Sequence, residues 1–437
     1  MRFSKTKVVF FLTVIMATLL TACGGGSTGA GNNGKSTVTY LTWETTNTNA
    51  AIDAALAKFP DKNVTIQRIP SPNSDFDQKI KSLTLAKKLP DFFWCGNDTE
   101  QDLGSKGVLF DWSSYIHKNT SDFAASNFAP SALKAWYSPD GSKLYGLPTL
   151  MNTYGFFYNE DMFKAAGVPL PKVGWTYDDF FAAAKALTKK NGGKVTQYGS
   201  IGGPYSDPFA FGDYSVSAGG APFTDRIVSP TKVTVSSQFA EGVQKFVDAI
   251  QNGSVTPPSF TTSNDPSAIF LAEKAPMIFN GQWLAASFLT SAPKFKYGFA
   301  PLPIVTGQVQ PYDAVGICSP SYIQHPDAAW KVMTFLDAQA WKDILPGAPV
   351  APAAYLPASS TYFDTLNAKG LQSVADSVKY VLNTPNKQSI RFISSWATKA
   401  NDVITANWND VIMGKKPVHP TLDTMAKQLN DVIQANQ

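Results

Sequence analysis

The run TVTYLTWE at residues 37–44, together with NVTIQRI at 63–69 and PDFFWC at 90–95, decides the fold of this chain. Each run is short and rich in β-branched or aromatic residues, as strands are. The two intervals between them carry apolar residues at helical spacing, for example Phe76 and Ile80 in the second. Strand, helix, strand, helix and strand at these spacings predict an α/β layer with parallel pairing.

The composition is that of a globular protein with a large core. Of the 437 residues 44% are hydrophobic and 16% are charged, which argues against a disordered or fibrous chain, and the length suits two ordinary domains or one large one. The net charge of +4 is spread over many residues with no basic cluster. We therefore expect no nucleic-acid partner.

The N-terminus predicts export. A basic start precedes the apolar residues 8–20, which are too few for a spanning helix but suit a signal peptide. The next residues, LTAC at 20–23 followed by three glycines, resemble a bacterial lipobox. We interpret residues 1–22 as a lipoprotein signal peptide, Cys23 as the lipidated residue and residues 23–35 as a flexible tether. An ordinary signal peptide followed by a chance cysteine is the alternative.

Alternating elements continue after residue 150. Residues 153–158 and 275–279 have the composition of strands, and Thr176 is a candidate cap of the helix that follows it. Residues 202–220 combine glycines with aromatic and acidic residues and are interpreted as a loop.

Several motifs recur in a recognisable order. They are YGLP at 145–148, YNEDMF at 158–163, NGQW at 280–283 and FAPLP at 299–303. In this order, behind a lipobox, they resemble the extracellular solute-binding protein family 1, the maltose-binding-protein-like proteins of carbohydrate ABC importers. AEK at 272–274 departs from the family's usual Gly-Lys-Ala, which leaves the turn before the following strand open.

The resemblance implies an α/β, two-lobed periplasmic-binding-protein-like fold of type II, with the ligand in the inter-lobe cleft. The boundaries it predicts are residues 36–147 plus 316–346 for lobe one, 151–312 plus 358–437 for lobe two, and hinges near 147–151, 313–317 and 346–357. The family's fold would also bring Cys318 close to Cys95, as a thiol pair or a disulfide; two separate, inert cysteines are the alternative.

The candidate ligand contacts follow from the chemistry of a sugar, which presents an apolar C–H face and a rim of hydroxyl groups. Trp283 is the first candidate, because it follows a predicted strand end and matches the family's cleft tryptophan. The other candidates are aromatic or polar residues near strand ends, crossings and the 202–220 loop: Trp43, Glu44, Asn97, Asp98, Tyr154, Asp213, Tyr214, Tyr312 and Asp313. For each of them, core packing or an ordinary turn is the competing interpretation.

Enzyme chemistry has little support in the sequence. The three histidines are scattered and no zinc-binding spacing occurs, so that we expect no catalytic residue, metal or cofactor. The prediction is a monomeric, lipid-anchored protein on the outer face of the cytoplasmic membrane, periplasmic if a second membrane is present. It would capture a carbohydrate, in particular an oligosaccharide, and deliver it to ABC importer permease subunits. A secreted glycoside hydrolase and a cell-surface glycan-binding adhesin are the alternatives.

Overall fold

The computed structural model describes residues 35–437. The predicted signal peptide, Cys23 and nearly all of the tether therefore lie outside the described residues. Within the described part, no helix has the length and apolar character needed to cross a lipid bilayer.

The described residues form short strands and mostly amphipathic helices. The strands are β1 Ser36–Leu41, β2 Val64–Arg68, β3 Phe92–Gly96, β4 Gly146–Asn152, β5 Tyr154–Asn159, β6 Lys189–Asn191, β7 Lys194–Gln197, β8 Met277–Gly281, β9 Tyr297–Pro301, β10 Gln310–Cys318 and β11 Lys387–Ser389. The helices are α1 Thr46–Leu56, α2 Phe76–Leu85, α3 Asn97–Ser105, α4 Ser113–Ile116, α5 Pro130–Lys134, α6 Glu160–Ala165, α7 Tyr177–Leu187, α8 Phe209–Ser217, α9 Ser237–Gln251, α10 Pro258–Ser263, α11 Pro266–Leu271, α12 Leu284–Ser291, α13 Pro326–Phe335, α14 Trp341–Ile344, α15 Leu356–Ala368, α16 Gln372–Asn383, α17 Ala397–Ile412 and α18 Val418–Gln434.

The first sheet, on which lobe one is built, has the strand order β2-β1-β3-β10, with β4 and β11 on the far side of β10. β1 pairs in parallel with β2 and β3, which confirms the parallel layer predicted from residues 37–95. β3 is buried along its whole length, as a strand covered on both faces must be. β10 runs antiparallel to both β3 and β4.

The second sheet, on which lobe two is built, has the order β8-β5-β9 and is antiparallel. Its central strand β5 is apolar on both faces. Phe156 packs against Phe180 on one side, and the next residue, Phe157, packs against Phe299 on the other. The strand is therefore enclosed between two cores, and the two separate sheets agree with the predicted two-lobed fold.

Two places connect the sheets close to the predicted crossings. β4 in the first sheet is followed by β5 in the second with only Thr153 between them. β9 in the second sheet is followed by β10 in the first. β10 pairs with β11 at its start, with β4 from Asp313 onward and with β3 from Val315 onward. The segment 346–357 joins α14 to α15. The exact lobe boundaries remain predictions.

Side-chain hydrogen bonds to the backbone lie at two helix starts in lobe two. Thr176 caps α7 in a capping box with Asp179, as the sequence indicates. Residues 202–220, by contrast, are not a loop throughout, because they contain α8. The side chain of Asp207 accepts a hydrogen bond from the N–H of Phe209 at 2.9 Å, which satisfies a donor of the first turn.

A disulfide joins Cys95 of β3 to Cys318 of β10. Their Cα atoms lie 6.1 Å apart on neighbouring antiparallel strands. The predicted proximity of the two cysteines is confirmed, and β10 is tied covalently to the parallel part of the sheet.

Candidate ligand-binding cleft

The main cavity is a cleft of about 1260 Å³ between the two lobes. Its walls come from the β1–α1 turn, α2 and the start of α3 in lobe one. Lobe two contributes the end of β8 with α12, and β10 supplies the floor. These are carboxyl ends of strands and starts of helices, where open α/β sheets place their ligands.

Two tryptophans line this cleft from different lobes. Trp43 follows β1 and meets Phe76 edge to face, with ring centroids 5.3 Å apart. Trp283 follows β8 and meets Tyr154 at 5.4 Å with the rings nearly perpendicular. Gly281 makes room for the second indole, since a Cβ atom there would lie 1.9 Å from the Trp283 ring. Each ring is partly buried and held in place by an aromatic neighbour.

Asp313 forms the polar centre of the floor. It is 3% exposed, and its Oδ2 accepts hydrogen bonds from the Tyr154 hydroxyl at 2.9 Å and from Asn152 Nδ2 at 3.3 Å. Its Oδ1 has no hydrogen-bond partner among the described residues. A buried carboxylate with one unused oxygen can accept a further hydrogen bond from a ligand hydroxyl group.

Arg391 is the positive group beside this carboxylate. Its guanidinium donates to Asp313 Oδ2 at 3.2 Å and to Asp98 Oδ1 at 3.4 Å. Burial lowers the pKa of Arg391, but Asp313 and Asp98 raise it by more, so that it lies above its ordinary value. Arg391 therefore stays charged and links Asp98 at the start of α3 to the floor of the cleft.

Gln282 fixes the backbone where the chain passes between the sheets. Its Oε1 accepts from the backbone N–H and the hydroxyl of Thr153, at 2.6 and 3.1 Å. Its Nε2 donates to the backbone oxygen of Val350 at 3.1 Å and to Asn152 Oδ1 at 3.4 Å. One buried amide thus connects the β4–β5 junction, the 346–357 segment and the polar floor.

Glu44 is a half-buried carboxyl group beside Trp43 on the cleft wall. Burial raises the pKa of Glu44 to about 7, against the opposing effect of hydrogen bonds from Trp94 and Trp43. Near neutral pH it is therefore present in both forms and can accept or donate a hydrogen bond.

The charge of the cleft lining is predominantly acidic. The charged residues that line it are five carboxyl groups and two cationic groups: Glu44, Asp77, Asp98, Asp102, Asp313, Lys81 and Arg391. The strongest cation among them, Arg391, is already paired. The electrostatics therefore disfavour an anionic ligand.

A second chamber of about 360 Å³ adjoins the cleft on the side of lobe two. Asp98, Tyr154, Arg391 and Asn401 border both cavities. The lobes also meet at the edge of the cleft, where Asn47 Nδ2 of α1 lies 3.5 Å from the Thr290 hydroxyl oxygen of α12.

The structure brings most of the predicted contact residues together. Six of them line the main cleft: Trp43, Glu44, Asp98, Tyr154, Trp283 and Asp313. Asp213 lines the second chamber instead.

Three predicted contact residues do not line either of these cavities. Asn97 is fully buried at the first position of α3. Tyr214 packs against Tyr177 and donates to Glu241 at 3.1 Å, so that it belongs to the core of lobe two. Tyr312 is also buried and donates to a backbone oxygen at 2.9 Å, because alternate residues of β10 face opposite sides.

The polar residues of the site that were not among the predicted contacts include Asn152, Asp207, Gln282 and Arg391. Gln282 lies inside the NGQW motif, directly before Trp283, and could have been found there. Arg391 had no local signal beyond being one of the few arginines of the chain.

The two-lobed fold with a deep inter-lobe cleft defines a binding protein of type II. A sequence profile described as bacterial extracellular solute-binding protein matches residues 42–342. The chain therefore belongs to the bacterial extracellular solute-binding protein family, and the resemblance found in its motifs is confirmed.

Three individual relatives share about a quarter of their aligned residues with this chain. A binding protein of Brucella abortus is 27% identical over 226 residues, which are 50% of this chain and 51% of that protein, so that the chain spans about half the length of that relative. A maltodextrin-binding protein of Bacillus subtilis is 25% identical over 338 residues, or 74% of each protein. An ABC substrate-binding protein from Listeria monocytogenes, solved in complex with cycloalternan, has a TM-score of 0.75 at 22% identity, covering 92% of this chain and 99% of that one. These relatives are binding proteins rather than enzymes, and the structural likeness shows the shared fold.

Proposed function

We propose that this protein captures an uncharged oligosaccharide in its inter-lobe cleft and delivers it to the permease subunits of an ABC importer. The observation that carries the proposal is the pairing of Trp43 and Trp283 on different walls with the Asp313 network on the floor. Aromatic rings suit the C–H faces of sugar rings, and fixed oxygen acceptors suit their hydroxyl groups.

The size of the cleft favours several sugar units. Its volume of about 1260 Å³ exceeds the roughly 300–1,000 Å³ typical of pockets for drug-sized ligands. The two tryptophans lie on different lobes, so that a chain of rings could stack on both. The relatives support a carbohydrate as well, since one is named for maltodextrin and another was solved with cycloalternan.

The charge of the cleft favours an uncharged ligand. Carboxyl groups outnumber cationic groups in the lining, and Arg391 is engaged by Asp313 and Asp98. A phosphate or a carboxylate placed there would face uncompensated negative charge, whereas hydroxyl groups would find acceptors.

Binding is tested by a thermal-shift screen of the purified protein against mono- and oligosaccharides, followed by calorimetric titration of each hit. Ligand at 100 times its Kd stabilises the folded state by about 2.7 kcal/mol, so that even micromolar binding is visible at millimolar sugar. We expect a shift with one class of oligosaccharide, its loss in Trp283→Ala and its partial retention in Trp283→Phe, which keeps an aromatic ring.

Two outcomes of that screen would contradict the proposal. A broad panel without any shift would exclude a carbohydrate ligand. If chromatography shows that the incubated oligosaccharide is cleaved, the result would favour the glycoside hydrolase alternative instead.

We also propose that Cys23 carries a lipid and holds the protein on the outer face of the cytoplasmic membrane. The LTAC sequence at 20–23 and the Gly/Asn-rich residues after it support this anchor. Expression of the full chain in a single-membrane bacterium should place it in the membrane fraction, and Cys23→Ser should shift it to an unlipidated form. Equal membrane retention of both would contradict the anchor.

A further inference from the structure

The second chamber has a composition suited to one sugar ring. Its apolar wall is formed mainly by Phe209, Phe279, Leu302 and Ile404, and its polar side carries Asp207 and Asp213. Its volume of about 360 Å³ is near the lower end of the range for small-molecule pockets. A lining that combines apolar side chains with two hydrogen-bond acceptors suits a pyranose, which has apolar C–H groups and hydroxyl groups.

Asp213 is a buried residue of this chamber with an unsatisfied carboxyl oxygen. It is 4% exposed, and its Oδ1 accepts no hydrogen bond from any residue that the structure describes. Burial and the nearby carboxylate of Asp207 raise the pKa of Asp213 well above its ordinary value. A buried carboxyl group with an unused oxygen destabilises the fold, so that its presence calls for a donor from outside the protein.

Asp207 places a second acceptor in the same chamber. One of its oxygens accepts the N–H of Phe209 at the start of α8. Burial raises the pKa of Asp207 to about 6, although Arg391 opposes that rise. The two carboxyl groups lie close enough to repel each other, and hydroxyl donors placed between them would relieve that repulsion.

The position of α8 explains why Asp213 faces the chamber. Its neighbours Phe211 and Tyr214 fill the core of lobe two, where Phe211 packs against Trp408 and Tyr214 against Tyr177. The carboxyl group is left on the side of the helix that borders the cavity.

The chamber is also adjacent to the main cleft. Tyr154, Arg391 and Asp98 border both cavities. The guanidinium of Arg391 lies 3.2 Å from Asp313 and 3.4 Å from Asp98. The two cavities therefore share a boundary, and a ligand that occupies both would pass beside Arg391 and Asp98.

We propose that the second chamber is a separate subsite, in which Asp207 and Asp213 bind the hydroxyl groups of the terminal ring of an oligosaccharide held in the main cleft. This subsite rests on the proposed function and deepens it, because it makes the ligand's end a determinant of specificity. It selects against a terminal uronic acid or phosphate, because the one cationic side chain among the described residues that line the chamber, Arg391, is already paired with Asp98 and Asp313.

The test is calorimetric titration of the purified protein with a length series of the oligosaccharide class that binds. In the wild type, one added unit should raise the affinity by about tenfold, as one or two further hydrogen bonds to buried groups do. Asp213→Asn replaces one carboxyl oxygen by an amide nitrogen at nearly constant shape, and Ala210→Phe fills the chamber without removing a polar group, since Ala210 lines it. Both variants should lose the gain from that unit and bind shorter oligosaccharides as the wild type does.

The control is Asp248→Asn, which alters an exposed carboxyl group on α9 outside both cavities. If both chamber variants bind every length like the wild type, the subsite is wrong while the proposed function stands. If no saccharide binds the wild type, the proposed function fails and the subsite fails with it.

Discussion

Opening the Cys95–Cys318 disulfide should lower the free energy of unfolding without dismantling the sheet. The bond closes a loop across a sequence separation of 223 residues. The loss of chain entropy that such a cross-link imposes on the unfolded state corresponds to about 5 kcal/mol at 25 °C. Residual structure in the unfolded chain reduces this figure, and measured values are commonly about 2–4 kcal/mol. We expect a loss of about 3–5 kcal/mol, because both cysteines are buried and the backbone pairing of β3 with β10 does not depend on the bond.

The measurement is urea unfolding followed by tryptophan fluorescence, with and without reductant. The double variant Cys95→Ala/Cys318→Ala is the matched control, because it lacks the cross-link in both conditions and should not respond to reductant. The difference in free energy of unfolding between the reduced wild type and this variant measures the contribution of the packing of the sulfur atoms alone. A reduced wild type within about 1 kcal/mol of the oxidised protein would refute the entropic reasoning, as would an equal response of the double variant to reductant.

Three further predictions concern the cleft. Burial raises the pKa of Glu44 to about 7 in the folded protein, so that it binds its proton more tightly there than in the unfolded chain. The free energy of unfolding therefore falls as the pH rises from about 4.5 to 7. Glu44→Gln should be more stable than the wild type at pH 8 but not at pH 4, measured by urea unfolding. Arg391→Met leaves the buried Asp313 without its cation and should lower the free energy of unfolding by about 1–3 kcal/mol. Asp313→Asn in the same chain should partly restore that stability. An unchanged melting temperature in the single variant would contradict this pairing. Gly281→Ala should displace the Trp283 indole and weaken saccharide binding while leaving the tryptophan in place, and titration at wild-type affinity would show that the indole does not need this position.

Local patterns were sufficient to predict the parallel part of the first sheet, formed by β1, β2 and β3. Its parallel strands have strong apolar runs of their own, and the order of strands and helices leaves little choice of pairing. Trp283 was predicted from a strand end and from the resemblance, and Asp313 from a crossing that the resemblance implies; both line the cleft. Cys95 and Cys318 needed the resemblance to a known family, because no local feature relates residues on strands so far apart in sequence.

The misplaced and missed residues have specific physical causes. Asn97 follows a strand but begins α3 immediately, so that its side chain turns inward while that of Asp98 faces the cleft. Arg391 reaches Asp313 only because the three-residue strand β11 pairs with β10, and the sequence KQS of that strand has no strand signature. Asp213 lies on a helix whose aromatic and glycine-rich sequence has the composition of a loop.

The contact between Asn47 and Thr290 at the edge of the cleft offers an optical readout of the ligand. Both residues are exposed and belong to different lobes, yet their side chains lie 3.5 Å apart. A rotation of one lobe about the hinges would change this separation more than distances near β10, because displacement grows with distance from the axis. A pair of fluorophores at these two positions would turn the protein into a sensor for the ligand proposed above, with no importer and no membrane present.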